Sequence, residues 1–229
     1  MLMERYAIIH QKFPREFVLL QGTGCRWGKC TFCDYHTDVS DNPFEVNKEV
    51  LAQVTGQYGV LDVINSGSGI ELDDATISMI KQVVKQKNIH TLWFEMHYMY
   101  RHHLDRFTQQ FAPTKVKFRC GIETFDADLR DRWQKGVPHE VTAEDVAQYF
   151  QGVCLMCGTV GESHTHILRD IELAKQYFEY MSINLFNENS TNEKCDKQLQ
   201  EWFVKEVYPM IKDDPQIEVL INNTDLGVG

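Results

Sequence analysis

The sequence predicts an α/β fold, namely an incomplete (β/α)6 TIM-type barrel with an added seventh strand. Three observations support this prediction: short apolar runs recur along the chain, helix-length amphipathic segments separate them, and glycine-rich or polar stretches follow the runs. Strands that alternate with helices are parallel and are joined by right-handed crossovers. In barrels of this kind the active site lies at the C-terminal ends of the strands. An open doubly wound sheet fits the same alternation and is the alternative fold.

Seven apolar runs have the length of buried strands and are bounded by glycine or polar residues. The segment before the first of them, residues 1–15, is a short amphipathic lead-in that ends near Pro14. We expect the strands at residues 17–21, 60–64, 91–97, 116–121, 153–157, 182–186 and 217–221.

The segments between the strands carry apolar residues at helical spacing. The first of them covers residues 45–58 and includes Val50 on its apolar face. Asp73 or Asp74 can cap the next helix, which runs to about residue 87. Further helices are expected at residues 102–111, 127–133, 143–150, 164–178 and 197–208.

Length and composition indicate one globular domain. The 229 residues are 43% hydrophobic and 11% aromatic, which is enough for one full α/β core. No internal repeat, low-complexity tract or linker divides the sequence. We therefore expect a single domain over residues 1–229, with residues 1–15 as its lead-in.

The formal net charge of −10, from 33 acidic and 23 basic residues, bears on the kind of substrate. Binding of nucleic acids depends largely on Lys and Arg side chains that neutralise phosphates. The sequence contains no basic run or arginine-rich arm. We therefore expect a small-molecule substrate and not a nucleic acid.

The sequence also predicts a cytoplasmic protein without a membrane segment. No apolar run approaches the roughly 20 residues of a membrane-spanning helix. The first ten residues lack the basic start and apolar block of a secretory signal. Seven cysteines, an odd number, indicate metal binding or reduced thiols in place of disulfides.

Three of these cysteines, Cys25, Cys30 and Cys33, lie on a short loop directly after the first predicted strand. Gly22 and Gly24 precede them, and glycine allows a loop to wrap tightly around a ligand. Soft thiolate ligands suit zinc and iron–sulfur clusters. Because no fourth cysteine is nearby, the loop indicates either a zinc centre completed by a distant residue or a cluster with one iron left open.

This cysteine loop, with Phe32 just before its third cysteine, resembles the cluster loop of radical S-adenosylmethionine (SAM) enzymes. It has one residue more between the first two cysteines than the commonest family spacing, so the loop is wider but keeps all three ligands. The resemblance implies that Cys25, Cys30 and Cys33 bind a [4Fe–4S] cluster, that SAM chelates its open iron, and that Phe32 lies at the cofactor. It also implies that one electron splits SAM into methionine and a 5′-deoxyadenosyl radical, which takes a hydrogen atom from the substrate.

Further segments resemble the parts of that family that bind SAM. The glycine pair after strand two would meet the methionine amino group, since exposed backbone groups in such a turn can hold a charged ligand. A carboxylate after strand four would contact the ribose or the methionine, and the segment after strand five would line the adenine. Ordinary turns and a rim carboxylate are the alternative interpretation. Together with an asparagine of strand six, the expected SAM-binding residues are Gly67, Ser68, Gly69, Glu123, Val160 and Asn184.

Four residues are candidates for catalysis. Glu95 and His97 end the third predicted strand, and residues two apart point to the same face of a strand. A carboxylate and an imidazole at the mouth of a barrel suit proton transfer or substrate binding, and a structural hydrogen-bonded pair is the alternative. Asp34 and His36 adjoin the cysteine loop, where they either face the substrate or form loop surface.

Candidate substrate-binding residues are Tyr35, Arg119, Asn187 and Asn222. Amide side chains suit a polar heterocycle or a sugar, although asparagine is also a common turn former. Arg119 lies inside a strand pattern, where a buried charge needs a partner. That partner is either a substrate group or another buried charge such as Glu218.

Cys154 and Cys157 form a second Cys-x-x-Cys motif. Within a strand, side chains three residues apart point to opposite faces and are poorly placed to share a metal. We therefore expect these two cysteines to be core thiols.

The compact length, the wider first cysteine gap and the Thr-Phe-Cys-Asp-Tyr-His continuation resemble the queuosine (queuine) lyases of bacterial queuine salvage. This resemblance implies radical cleavage of the bond between a 7-deazaguanine base and ribose, which releases queuine from queuosine or its 5′-phosphate. A reductant such as flavodoxin or ferredoxin would supply the electron. Two alternatives stay open: another small-molecule radical SAM reaction, and a zinc-stabilised or redox-sensing binding protein without catalysis.

Overall fold

A computed structural model describes residues 4–221 of the chain. Within this range the strands form one sheet, in which the spatial order of the strands follows their order in the sequence. The strands are β1 (Tyr6–Ile9), β2 (Arg15–Leu20), β3 (Val60–Asn65), β4 (Thr91–Met96), β5 (Lys115–Glu123), β6 (Gly152–Cys157), β7 (Tyr180–Leu185) and β8 (Ile217–Leu220).

Helices lie between the parallel strands. A π-helical turn at Phe203–Val207 joins the last two of them, and 3-10 turns occur at Tyr35–Thr37, Gly69–Glu71 and Tyr98–His103. The α-helices are α1 (Pro43–Leu51), α2 (Asp74–Gln86), α3 (Leu104–Gln109), α4 (Ala127–Arg132), α5 (Ala143–Ala147), α6 (His164–Tyr177), α7 (Lys197–Trp202) and α8 (Tyr208–Ile211).

The strand pairing settles the fold class. Strands β2, β3 and β4 pair in parallel, and so do β6, β7 and β8. A doubly wound sheet reverses its strand order at a switch point, whereas the order here runs from β1 to β8 without reversal. The predicted incomplete barrel, with β8 as its added strand, is therefore confirmed, and the doubly wound alternative is wrong.

Strand β1 lies in the segment that the sequence indicated only as an amphipathic lead-in. It pairs antiparallel with β2, with Tyr6 opposite Val18. The Tyr6 hydroxyl donates a hydrogen bond of 2.7 Å to Glu16, and burial, followed by the Glu16 carboxylate, raises the pKa of Tyr6 to about 12. All four residues of β1 are half-buried, so this short strand has no buried–exposed alternation that would have revealed it.

Helix α1 ends at Leu51, seven residues before the end of the predicted helix 45–58. Gly56 has a φ of +84°, a left-handed conformation that favours glycine. A Cβ at Gly56 would also collide with the carbonyl oxygen of Lys87. The chain therefore turns at Gly56 and enters β3.

The chain consists of two compact units, of which the first comprises Met1–Gly28 and Tyr35–Arg119. At its centre, Asp62 of β3 pairs with Arg15 and Arg119. Arg15 Nε lies 2.9 Å from Asp62 Oδ2, and the two terminal nitrogens of Arg119 donate to both carboxylate oxygens at 3.0 and 3.1 Å. Burial alone would raise the pKa of Asp62, but the guanidinium groups of Arg119 and Arg15 lower it below its usual value.

The second unit comprises Lys29–Asp34 and Cys120–Gly229. Its fully buried Arg130 donates to the carbonyl oxygen of Val141 at 2.9 Å, and also to three further carbonyl groups. Glu218 of β8 accepts a hydrogen bond of 2.6 Å from the hydroxyl of Tyr180. The prediction of one domain over residues 1–229 stays a prediction.

Cys154 and Cys157 are buried in β6, in agreement with their interpretation as core thiols. Burial raises the pKa of Cys157 well above its ordinary value. Among the described residues, no helix combines the length and the apolar character that a membrane crossing requires.

Candidate active site

The cysteine loop begins where β2 ends, and backbone hydrogen bonds fix its first residues. The Gly22 amide donates to Ser66 Oγ at 2.8 Å, which connects the loop to the end of β3. Gly24 and Gly28 have φ values of +104° and +55°, so both of these turns favour glycine. The Gly28 amide points at Cys25 Sγ, at 3.4 Å. The loop therefore presents the Cys25 sulfur with a backbone donor beside it.

The segment Gly67–Gly69 follows β3 and packs closely against this loop. A Cβ at Gly67 would lie 3.2 Å from Cys25 Cα and 3.1 Å from the Gly24 carbonyl oxygen, and it would collide with the Glu71 carboxylate. Only glycine leaves room for this approach. The predicted SAM segment is thus brought to the cysteine loop within the first unit.

Glu71 joins these two segments to a third. Its carboxylate accepts hydrogen bonds from the Ser68 amide at 3.0 Å, from the Arg26 amide at 3.2 Å and from the Tyr100 hydroxyl at 2.5 Å. Burial, and then Glu71 itself, raises the pKa of Tyr100 well above its usual value. Glu71 completes a capping box with Ser68, and the same carboxylate anchors the cysteine loop through the Arg26 amide.

His97 is held in place from three directions. Its amide donates to Ser68 Oγ at 2.9 Å, its Nδ1 accepts from the Met99 amide at 3.1 Å, and its ring stacks on Trp27 with 5.6 Å between the ring centroids. Because Nδ1 is an acceptor, the proton of the neutral ring is on Nε2. His97 therefore lies beside both the cysteine loop and the Gly67–Gly69 segment.

Glu95 differs from His97 in its surroundings. Strand β4 ends at Met96, so the strand alternation that was expected to pair Glu95 with His97 does not extend to the histidine. Glu95 Oε2 lies 3.5 Å from Arg119 Nε, and its side chain is 35% exposed. Arg119 itself is committed mainly to Asp62, a partner that the sequence did not indicate.

Cys30 and Cys33 belong to the second unit, where an apolar cluster supports them. The cluster consists of Phe32, Leu129, Trp133, Met156 and Phe186, and Cys30, Cys33 and Cys195 pack against it. The Thr31 amide donates to the Trp133 carbonyl at 3.0 Å, and the side-chain amide of Asn189 donates to the Phe32 carbonyl at 2.7 Å. This part of the loop is therefore fixed by both apolar packing and hydrogen bonds.

Glu123 and Lys135 form a buried ion pair in the same unit, with 2.8 Å between Oε1 and Nζ. The Lys135 ammonium lies 5.4 Å from the centre of the Phe32 ring. Glu123 has a φ of +68°, which is strained for a residue other than glycine. The sequence did not indicate that Glu123 pairs with Lys135.

The remaining predicted site residues differ in their exposure and in their hydrogen bonding. Asp34 accepts two hydrogen bonds from Ser190, at 3.1 and 2.9 Å. Tyr35 and His36 lie in a 3-10 turn, where His36 is exposed. Val160 is 53% exposed, and Asn187 is exposed as well. Asn222 lies outside the described residues.

Three buried amide oxygens have no hydrogen-bond partner within residues 4–221, namely those of Gln21, Asn65 and Asn184. Buried polar atoms are normally hydrogen-bonded, so each such oxygen calls for an explanation. Asn184 was predicted to bind the cofactor, whereas Asn65 was missed. Asn65 ends β3, and its Nδ2 donates to the Ser68 carbonyl at 3.3 Å, so it belongs to the Gly67–Gly69 segment. An asparagine directly before a glycine-rich segment was the available signal.

The parallel α/β topology, the three-cysteine loop after the first parallel strand and the glycine segment after the next define the class of radical SAM enzymes. Neither a scan against protein-family models nor a search of curated proteins found a match. Among solved structures, a queuine lyase from Clostridium spiroforme bound to SAM and queuine is 40% identical to this chain. The match covers 99% of each chain with a TM-score of 0.93. This chain therefore belongs to the queuine lyase family.

Proposed function

We propose that this protein is a radical SAM lyase that cleaves the base–ribose bond of queuosine or its 5′-phosphate and releases queuine. The observation that carries the proposal is the 40% identity, over 99% of both chains, to an enzyme whose structure contains SAM and queuine. The cysteine loop supplies the matching chemistry, because a reaction of this class needs three thiolates on one loop.

Cys25, Cys30 and Cys33 are the proposed ligands of a [4Fe–4S] cluster, and their surroundings suit such a group. Cys25 has a backbone donor at its sulfur, and hydrogen bonds to sulfur tune iron–sulfur clusters. Cys30 and Cys33 pack against an apolar cluster that includes three aromatic side chains, those of Phe32, Trp133 and Phe186. Within residues 4–221 no three His, Cys, Asp or Glu side chains converge on a single metal ion. The thiolates of a cube bind different irons, so they need not converge on one point.

The proposed SAM-binding residues are Phe32, Gly67, Ser68, Gly69, Glu123, Val160 and Asn184. Two observations favour this set: the buried Asn184 oxygen lacks a partner among the described residues, and Gly67 leaves no room for a side chain beside Cys25. A reduced cluster held by Cys25, Cys30 and Cys33 would supply the electron that splits SAM into methionine and a 5′-deoxyadenosyl radical, and this radical would take a hydrogen atom from the ribose. The protein contributes binding, orientation and exclusion of water.

We propose that His97 orients the substrate, because stacking on Trp27 and the Met99 amide fix both its ring and its tautomer. Glu95 is partly exposed and is proposed to accept a substrate proton or hydrogen bond. Asp34 and His36 stay candidate catalytic residues. Tyr35, Asn187 and Asn222 stay candidate substrate ligands, and the ion pair with Asp62 favours a structural role for Arg119.

The proposed partners follow from the chemistry and the charge. A small electron-transfer protein, such as flavodoxin or ferredoxin, would reduce the cluster in the cytoplasm. The net charge of −10 favours a free nucleoside or nucleotide over a nucleic acid as the substrate.

Anaerobic turnover tests the proposal. Reconstituted protein is incubated with SAM, dithionite and queuosine, and in parallel with queuosine 5′-phosphate or guanosine. We expect queuine and 5′-deoxyadenosine together from at least one queuosine substrate, no base from guanosine, and neither product from Cys30→Ala protein. Formation of 5′-deoxyadenosine without queuine would contradict the proposed lyase reaction, but it would still agree with a radical SAM enzyme. A colourless protein with stoichiometric zinc would contradict both.

A further inference from the structure

A buried positive charge lies beside two of the proposed cluster ligands. The Lys135 ammonium is over the ring of Phe32, with 5.4 Å to the ring centroid, and Phe32 stands between Cys30 and Cys33 in the sequence. Both cysteines pack against the apolar cluster that contains Phe32 and Trp133. Lys135 also forms a salt bridge with Glu123, with 2.8 Å between Nζ and Oε1.

The backbone is left-handed at Glu123 and at both neighbours of Lys135. Glu123 has a φ of +68°, and the residues on either side of Lys135, Gln134 and Gly136, have φ values of +51° and +71°. Left-handed conformations of residues other than glycine cost of order 1 kcal/mol or more and persist where the surroundings demand them, often at functional sites. The position of the Lys135 ammonium is therefore set by the fold on both sides.

Lys135 is positively charged at neutral pH. Burial alone would lower the pKa of Lys135, but the Glu123 carboxylate, together with the thiolates of Cys30 and Cys33, raises it above its usual value. Lys135 therefore stays an ammonium group, and its charge acts on the same thiolates. In a buried environment such a charge is screened much less than on the surface.

We propose that Lys135 raises the reduction potential of the cluster held by Cys30 and Cys33, and that Glu123 limits this effect. Reduction adds one negative charge to the cluster, and a fixed positive charge nearby favours the reduced state. The Glu123 carboxylate is negatively charged and therefore disfavours the reduced state. The proposal rests on the proposed function, since it requires the cluster.

The test is a redox titration of the cluster without SAM, followed by electron paramagnetic resonance, so that any contact of Glu123 with SAM plays no part. We expect Lys135→Gln to lower the midpoint potential and Glu123→Gln to raise it. At a fixed potential each change alters the ratio of reduced to oxidised cluster by on the order of tenfold. Lys135→Arg, which keeps the charge, should leave the potential near that of the wild type.

Lys81→Gln is the matched control, because Lys81 also lies over an aromatic ring, that of Phe111 at 5.8 Å, but belongs to the first unit and contacts Gln110. The cluster of the Lys81→Gln variant should have the same midpoint potential as that of the wild type. Shifts of equal sign in Lys135→Gln and Glu123→Gln, or no shift in either, would overturn the proposal. If Lys135→Gln fails to retain the cluster, Glu123→Gln alone decides. A wild-type protein without any cluster would instead refute the proposed function.

Discussion

The two units of this protein contain buried ion pairs of different character. In the first unit, Asp62 pairs with two guanidinium groups, and all three residues lie in regular strands. In the second unit, Glu123 and Lys135 pair one to one, and Glu123 adopts a strained left-handed conformation. Both pairs are almost completely buried. Burial and pairing alone therefore do not separate structural charges from functional ones.

The difference lies in what surrounds each pair. The guanidinium groups of Arg15 and Arg119 meet on one buried carboxylate, so the Asp62 network connects β2, β3 and β5. The ammonium of Lys135 lies over Phe32 beside proposed cluster ligands, at a place where the backbone is strained. Strain next to reactive sulfur points to a chemical role, whereas an unstrained pair within strands points to stability. Four predictions test this distinction.

The largest effect is expected when a proposed cluster ligand is removed from the second unit. Cys30→Ala should lose the iron and yield no detectable queuine, because a cube with two remaining protein ligands is not retained. Cys195→Ala is the matched control, since Cys195 packs against the same apolar cluster and its thiol donates to the Phe186 carbonyl. Iron analysis of both purified variants is the measurement. Equal iron loss from both variants would contradict the assignment of three ligands.

Loss of the Asp62 charge should destabilise the protein without removing any proposed cluster ligand. Asp62→Asn leaves two buried guanidinium groups without their carboxylate, and breaking a buried pair in this way costs about 3–5 kcal/mol. Glu95→Gln, which removes the partly exposed carboxylate near Arg119, should cost less than about 1 kcal/mol. Urea denaturation of each variant measures the free energy of unfolding. A small effect of Asp62→Asn would mean that the network does not stabilise the sheet.

The carboxyl group of Glu162 should make the stability of the protein depend on pH. Half-buried Glu162 accepts hydrogen bonds from Thr159, at 2.8 and 3.1 Å, and burial raises the pKa of Glu162 to about 7. The folded state therefore keeps a proton that the unfolded state has lost between about pH 4.5 and 7, so this group lowers stability as the pH rises through that window.

Glu162→Gln removes this penalty. Relative to the wild type, the variant should gain about 1–3 kcal/mol of unfolding free energy between pH 5 and pH 8. Denaturation at the two pH values measures the gain. A constant difference between the variant and the wild type would show that Glu162 titrates normally.

The smallest effect is expected at Glu71, which accepts three hydrogen bonds and fixes the cysteine loop to the Gly67–Gly69 segment. A neutral amide is a weaker acceptor than a carboxylate, so Glu71→Gln should lose about 1 kcal/mol of SAM binding. The expected result is a roughly fivefold higher KM for SAM with kcat little changed. Tyr100→Phe removes one of the three donors and should give a smaller increase. A fall in kcat with unchanged KM would contradict this positioning role.

The sequence predicted the fold well because its strands are apolar runs separated by amphipathic helices. All seven expected strands are present, and β8, the last of them, covers Ile217–Leu220. β1 was missed because four half-buried residues carry too little pattern. The first predicted helix was too long because α1 ends at Leu51 and the chain then turns at Gly56, close to Lys87, which is distant in the sequence.

The residues of the candidate site were predictable from the sequence where they form a short local motif. They were much less predictable where their role depends on a contact with a residue that is distant in the sequence. The cysteine loop and the Gly67–Gly69 segment are local signals of this kind. By contrast, the pairing of Arg119 with Asp62 joins residues 57 positions apart, and the contact of Tyr100 with Glu71 joins residues 29 apart. No local pattern encodes such partners, because they meet only when the chain folds. Lys135 became informative only when its ammonium was placed over Phe32.

The most direct measurement is iron analysis and electron paramagnetic resonance of the anaerobically reduced protein, recorded before and after addition of SAM. We expect about four iron atoms per chain and a cluster signal that changes when SAM is added, because three cysteines leave one iron open to the amino and carboxylate groups of SAM. A signal that SAM leaves unchanged, or bound zinc in place of iron, would contradict the proposed cluster with one open iron.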